Sequence, residues 1–213
     1  MSTCYLIRHG SHRLLGRAIA GWSARVHLDA LGLAQARALA ERFATTELAA
    51  VYSSPLERTR ETAEAIAARH ELEIVIRPAL GEIDYGEWAG RSLEELSRDP
   101  RWTFFNLHRG RARIPGGESM LEVQARIVAE LGHLADRHPD QSFLVVSHGD
   151  VLKAAIAHVI GSSLDAILRF DLDPASVTTI RFDADGPRLT ALNDVSGLPL
   201  AAPNGHELES TRR

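Results

Sequence analysis

The chain has 213 residues, of which 45% are hydrophobic and 24% charged, as is usual for a globular protein with a substantial core. Its formal net charge of −4 gives no reason to expect partners such as nucleic acid or a membrane surface, so an anionic ligand would need a local positive site. The single cysteine excludes an intrachain disulfide, and no signal peptide or membrane-spanning run is recognisable, so a cytoplasmic location is expected.

Five short apolar runs alternate along the chain with helical patterns. The predicted strands are TCYLI, AAVYS, EIVIR, SFLVVS and SVTTIRF, and the predicted helices cover residues 33–43, 56–70, 119–137 and 150–160. Short runs without polar alternation indicate a sheet that is buried on both faces and mostly parallel. The sequence therefore predicts an α/β fold, a three-layer αβα sandwich around a mostly parallel central sheet.

One domain is expected to occupy residues 1–195. Within it, residues 81–117 contain Gly, Pro and Trp without a clear period, and we interpret them as a lid-like insertion over one end of the sheet. After Val195 the chain is poor in large apolar residues and contains Pro199 and Pro203. Residues 196–213 are therefore expected to form a loosely ordered C-terminal tail.

Two distant apolar runs end in the same dipeptide. CYLIR leads into His9-Gly10, and FLVVS leads into His148-Gly149. Ligands of open α/β sheets bind beyond the carboxyl ends of the strands, so the two histidines face one crevice if their strands are neighbours. The glycines allow a sharp turn and a close approach of the backbone to a ligand.

A third predicted strand, AAVYSS, leads through Pro55 into the helical segment LERTRETA. Arg58 then falls in the first helical turn, where free N–H groups favour anions. Arg8 and Arg58 can therefore converge with the two histidines at the strand ends. Two guanidinium groups that can each bind oxygens in a bidentate manner indicate a phosphate site. The histidines at that site could act as nucleophile and charge stabiliser.

Five motifs, LIRHG, SSPLERTRETA, EIDYGEWAG, PGGES and VVSHG, occur in an order and spacing that resemble the histidine phosphatase superfamily, the phosphoglycerate-mutase-like branch one. The resemblance implies a phosphoglycerate-mutase-like fold and a reaction through a phosphohistidine, with no metal and no other cofactor. It implies that His9 is the nucleophile, that Arg8, Arg58 and His148 bind the phosphoryl oxygens, and that Glu82 donates a proton to the leaving group.

The loop after the first motif, RHGSHRLLGR, departs from the family pattern. It carries Ser11 and His12, and it lacks the Asn that follows this motif in many mutase-like members. Ser11 is expected to bind phosphate through its hydroxyl or its N–H, and Gly149 through close backbone approach. The segment RWTFFNLHRGRARIP lacks the Tyr and Lys of the insertion in glycolytic mutases, which favours a phosphatase over a mutase.

Some site assignments have rivals in the sequence. Glu87 and Asp84 lie in the same segment as Glu82, and the resemblance favours Glu82. His9 with His12, or His148 with Asp150, could suggest a metal pair, but neither spacing brings a full ligand set.

The predicted function is that of a phosphomonoesterase acting on a small phosphorylated metabolite. Two alternatives stay open: a phosphoglycerate-mutase-type phosphomutase, and a non-catalytic phosphate- or phosphoprotein-binding module. The substrate itself also stays open among sugar phosphates, phosphoglycerates, α-ribazole phosphate and phosphoprotein, as does a homodimeric state.

Overall fold

A computed structural model describes residues 1–200 of the chain, and a six-stranded sheet runs through their centre. The strands are β1 (Ser2–Arg8), β2 (Ala50–Ser53), β3 (Ile74–Ile76), β4 (Ser142–Ser147), β5 (Val177–Asp183) and β6 (Gly186–Asp194). Their spatial order is β3-β2-β4-β1-β5-β6. The pairs β3–β2, β2–β4 and β4–β1 are parallel, whereas β5 is antiparallel to both of its neighbours.

Helices cover both faces of this sheet. They are α1 (Ala30–Phe43), α2 (Glu57–Arg69), α3 (Leu93–Ser97), α4 (Pro100–Leu107), α5 (Met120–Arg137) and α6 (Gly149–Val159). Short 3-10 helices lie at Pro78–Leu80, Gly86–Trp88 and Leu164–Arg169. None of the helices within residues 1–200 combines the length and the apolar character that a membrane crossing requires.

Two hydrophobic clusters fill the space between the layers, because side chains alternate between the faces of a strand. On one face, Leu6 and Val145 pack with the apolar stripes of α5 and α6. On the other face, Ile7 and Val146 pack with those of α1 and α2. The predicted three-layer arrangement with a mostly parallel sheet is confirmed.

The predicted elements correspond closely to the observed ones. All five predicted strands are present, and each predicted helix differs from the observed one by three residues or fewer at either end. The edge strand β6 was not predicted. Residues 81–117 contain α3, α4 and a 3-10 turn between irregular segments, and their role as a lid stays a prediction.

The proposed C-terminal tail falls largely on residues 201–213, which lie outside the described part. Within the described residues, Leu198 is buried in the cluster under α1, and the carbonyl of Pro199 accepts a hydrogen bond from the side chain of Gln35.

The register of the central strands brings the distant motifs together. Arg8 at the end of β1 is aligned with Ser147 at the end of β4, and Ser53 at the end of β2 is aligned with Val146. The next residue of each chain segment therefore emerges at the same edge of the sheet. His9, His148 and Ser54 are those residues.

Candidate active site

His9 follows β1 and is almost fully buried, with 3% of its surface exposed. Its Nδ1 lies 2.8 Å from the carbonyl oxygen of Gly10. A carbonyl can only accept, so Nδ1 carries the ring proton and Nε2 keeps a free lone pair. Burial, and then the charges of Arg58 and Arg8, hold the pKa of His9 well below its ordinary value of 6.5. The neutral, nucleophilic form of this ring is therefore favoured.

His148 lies beside His9, with ring centroids 5.3 Å apart, and it is fully buried. Nη2 of Arg58 donates to its Nδ1 at 3.2 Å, so the ring proton is on Nε2, which donates to the hydroxyl of Ser54 at 2.9 Å. Burial and then the Arg58 charge lower the pKa of His148 well below its ordinary value.

Arg58 lies in the first turn of α2, as predicted, and its side chain is fully buried. Nη2 also donates to the carbonyl of Gly21 at 3.0 Å. Within residues 1–200, Nε and Nη1 have no hydrogen-bond partner. Because leaving buried donors unpaired is costly, a guanidinium with two such atoms suits an anion that supplies the missing acceptors.

Arg8 reaches across the N-terminus of α6. Its Nη1 donates to the carbonyl of Leu172, and its buried Nε has no partner among the described residues. A Cβ atom at Gly149 would lie 3.3 Å from this Nε, so glycine gives the guanidinium room above the helix. Arg8 and Gly149 both line the cavity described below.

The carboxylate of Glu82 lies near Arg58 and His148. Oε2 lies 3.6 Å from Nη2 of Arg58 and 3.5 Å from Nδ1 of His148, and Oε1 accepts the N–H of Ile83 at 3.0 Å. Burial raises the pKa of Glu82 above its ordinary value, and the opposing effect of Arg58 does not cancel it. A carboxyl group that stays protonated to higher pH suits a proton donor.

The two rivals of Glu82 lie elsewhere. The side chain of Glu87 is 60% exposed and pairs with Arg101 at 3.1 Å. Asp84 is exposed, and its Oδ1 accepts the N–H of Gly86. Neither carboxylate lines the cavity that contains His9.

The segment that carries Glu82 is held from two sides, a feature that sequence reasoning missed. Arg126 on α5 donates to the carbonyls of Ala79, Gly81 and Glu82 and forms a bidentate ion pair with Glu118. The indole N–H of Trp22 donates to the same Glu82 carbonyl at 2.7 Å.

The structure does not place Ser11 in the site, contrary to expectation. Its hydroxyl donates to Asp29 at 2.9 Å and its N–H donates to Gln35 at 2.8 Å, so both groups expected to contact phosphate are engaged in fixing the loop. Ser11 does not line the cavity, whereas the next residue, His12, does.

The candidate catalytic residues surround a cavity of about 270 Å³. Arg8, His9, His12, Glu82 and Gly149 line it, and the fully buried Arg58 and His148 lie directly behind them. The rest of the lining is mixed. It consists of the apolar Leu15, Ala18, Ile19, Ala20 and Leu93, the glycines Gly16 and Gly21, and Tyr85, Asp150 and Lys153.

Two charged groups occupy the α6 side of the cavity. Asp150 pairs with the buried Arg109 at 2.5 Å. Burial alone would raise the pKa of Asp150, but the charge and hydrogen bond of Arg109 outweigh it and lower the pKa below its ordinary value. Lys153 is largely buried and lies 3.3 Å from the exposed Asp171. Within the described residues, His, Cys, Asp and Glu side chains form no group of three or more that could hold a metal ion.

Comparison with known proteins agrees with this geometry. Residues 4–195 match the family described as "Histidine phosphatase superfamily (branch 1)". Phosphoserine phosphatase 1 of Hydrogenobacter thermophilus is 33% identical over 160 residues, which are 73% of this chain and 75% of that protein. A Proteus mirabilis protein named "Probable phosphoglycerate mutase GpmB" is 32% identical over 206 residues, 93% of this chain and 95% of that protein.

The solved structure of Bacillus stearothermophilus YhfR superimposes with a TM-score of 0.88 at 31% sequence identity, covering 92% of this chain and 99% of that one. The chain belongs to the histidine phosphatase superfamily, branch 1. The family predicted from the motifs is therefore confirmed, and so is the predicted class of enzyme, a phosphatase acting on phosphomonoesters.

Proposed function

We propose that this enzyme hydrolyses a small phosphorylated metabolite through a phosphohistidine at His9, without a metal ion. One observation carries the proposal: His9, whose Nε2 is free, lines a cavity beside two arginines whose buried donors lack protein partners within residues 1–200. The arginines would neutralise the phosphoryl oxygens, the task that a cation performs in many other phosphoryl-transfer sites.

In the first step, Nε2 of His9 attacks phosphorus and the bond from phosphorus to the ester oxygen breaks. Arg8 and Arg58 hold the phosphoryl oxygens, and His148 joins them when its Nε2–H turns from the Ser54 hydroxyl to a phosphoryl oxygen. Glu82, in its protonated form, gives its proton to the departing oxygen. The raised pKa of Glu82 supports this role, because a larger fraction of the carboxyl group is protonated near neutral pH.

In the second step, water attacks the phosphohistidine. The carboxylate left on Glu82 takes a proton from that water, and the bond between phosphorus and Nε2 breaks to release inorganic phosphate and neutral His9. The same carboxyl group therefore acts first as acid and then as base, which returns the site to its starting protonation state.

The cavity supports a small substrate. Its volume of about 270 Å³ lies just below the range of roughly 300–1,000 Å³ that is typical of small-molecule sites. Lys153 offers one cation beyond the phosphoryl-binding arginines, and Leu15, Ile19 and Leu93 offer apolar contact. A compact organic phosphate such as phosphoserine, named in the relative from Hydrogenobacter thermophilus, is consistent with both features.

A phosphomutase is the second candidate, favoured by the relative named for phosphoglycerate mutase. The two functions share the first step and differ in what accepts the phosphoryl group from His9. A mutase passes it to a hydroxyl group of a second substrate, whereas a phosphatase passes it to water.

The test is hydrolysis of p-nitrophenyl phosphate and a panel of metabolite phosphates in the presence of EDTA. Turnover is expected to continue with chelator, and rapid quenching with a ³²P-labelled substrate should trap label on the protein. His9→Ala should abolish both signals and leave the thermal unfolding transition in place. Loss of turnover with EDTA, restored by zinc or magnesium, would refute the metal-free mechanism, and transfer of label to a second substrate instead of water would establish the mutase.

A further inference from the structure

His12 is a second histidine that lines the cavity together with His9. The two ring centroids are 5.1 Å apart, and His12 is 95% buried while still lining the cavity. The loop that presents it is fixed by the hydrogen bonds of Ser11 to Asp29 and Gln35, and His12 itself forms a β-bridge with Leu28. The position of the ring is therefore defined by the folded loop.

Only one ring nitrogen of His12 has a protein partner within residues 1–200. The N–H of Leu14 donates to Nδ1 at 3.3 Å. Burial, followed by the charges of Arg58 and Arg8, lowers the pKa of His12 to about 4, so the ring is neutral near pH 7. A neutral imidazole whose Nδ1 accepts a hydrogen bond carries its proton on Nε2. His12 therefore has one unpartnered N–H donor, on a ring that lines the cavity.

We propose that the Nε2–H of His12 donates a hydrogen bond to a phosphoryl oxygen while the group is transferred to His9. His12 is then a catalytic residue that supplies the contact for which the sequence predicted Ser11. This inference rests on the proposed phosphatase function. A neutral imidazole N–H is a very weak acid, so His12 stabilises charge on the oxygen and the proton transfer stays with Glu82.

The inference is tested with His12→Phe, which keeps a ring and removes the donor, and His12→Gln, which keeps an N–H at a similar distance from the backbone. We expect His12→Phe to lower kcat/KM for an alkyl phosphate about 10²-fold, the size found when one oxyanion donor is removed. The same variant should bind inorganic phosphate more weakly in titration calorimetry, whereas His12→Gln should stay within about tenfold of wild type. His158→Phe, at an exposed position late in α6, is the matched control and should change neither value.

A second measurement uses the unmodified protein and does not depend on the folding of any variant. In nitrogen-resolved NMR spectra, the Nε2–H resonance of His12 should move on addition of inorganic phosphate. An unmoved resonance would overturn the inference, as would equal losses in His12→Phe and His12→Gln, or full activity in His12→Phe. If wild type neither hydrolyses phosphomonoesters nor binds inorganic phosphate, it is the proposed function that fails.

Discussion

Replacing Glu82 by Gln should remove the proton donor while leaving its surroundings nearly intact. The amide oxygen can still accept the N–H of Ile83, and the amide N–H₂ would face Nδ1 of His148, which lies 3.5 Å from Oε2 in the wild type. The variant also loses the charge that lies 3.6 Å from Nη2 of Arg58, an effect common to all substrates, so the contribution of the proton is measured by comparing leaving groups. General acid catalysis typically contributes about 10²–10⁴-fold, so an alkyl phosphate, which expels a basic alkoxide, should react at least about 10²-fold more slowly. That factor corresponds to about 3 kcal/mol in the barrier.

The assay compares leaving groups. A p-nitrophenyl ester expels a weakly basic phenolate, so its phosphorylation step should suffer much less in Glu82→Gln than that of an alkyl ester. Rapid-quench measurement of this step is required, because attack of water on the phosphohistidine needs the same carboxyl group as base.

The control for this experiment is Glu87→Gln. The wild-type side chain is 60% exposed and forms a surface ion pair with Arg101, a type of contact that contributes little to stability, so both esters should react at nearly normal rates. A leaving-group-dependent loss in Glu87→Gln, absent from Glu82→Gln, would refute the assignment. If neither variant shows it, Asp84 is the next donor to test.

Three further predictions concern pH and the buried cations. The pH profile of kcat/KM should be bell-shaped. Activity should fall on the acidic side, below pH 6.5, as His9 with its lowered pKa becomes protonated, and on the basic side, above pH 4.5, as Glu82 with its raised pKa loses its proton. A basic limb that persists in Glu82→Gln would contradict this assignment. Thermal unfolding measured against pH should show that the free energy of unfolding falls as the pH drops below about 6.5, by up to about 1.4 kcal/mol per pH unit for each of His9, His12 and His148. The reason is that these histidines bind protons in the unfolded chain at pH values where they stay neutral in the folded one. An unchanged transition between pH 7 and 5 would contradict this prediction. Arg58→Lys keeps the charge but loses the planar set of donors, so kcat/KM and the affinity for inorganic phosphate should both fall about 10²-fold. Near-normal values in steady-state kinetics and calorimetry would show that the unpaired nitrogens of Arg58 do not hold phosphate.

The sequence predicted the sheet and the convergence of its motifs because these depend on local signals. Apolar runs mark β1 and β4, and parallel pairing places His9 and His148 at the same edge. The strand β6 escaped prediction because it is a half-exposed edge strand that contains Pro187 and few large apolar residues.

That His12 and not Ser11 lines the cavity could not be predicted from spacing. Which of two adjacent loop residues faces a cavity depends on the contacts that the loop makes with distant segments, here the hydrogen bonds from Ser11 to Asp29 and Gln35. The support of Glu82 by Arg126 likewise joins segments 44 residues apart, and the arginine lies on a helix without any motif to mark it.

The central position of β1 has a consequence for synthesis on the ribosome. Both neighbours of this strand, β4 and β5, begin more than 130 residues later in the chain. When the chain has emerged as far as the end of β3, β2 and β3 can already pair. The backbone of β1 and its apolar residues Cys4, Leu6 and Ile7 then still have no partner strand. Such an unpaired apolar strand is prone to aggregation until its neighbours arrive. His9, which follows β1, is thus made long before the strands that hold β1 in place.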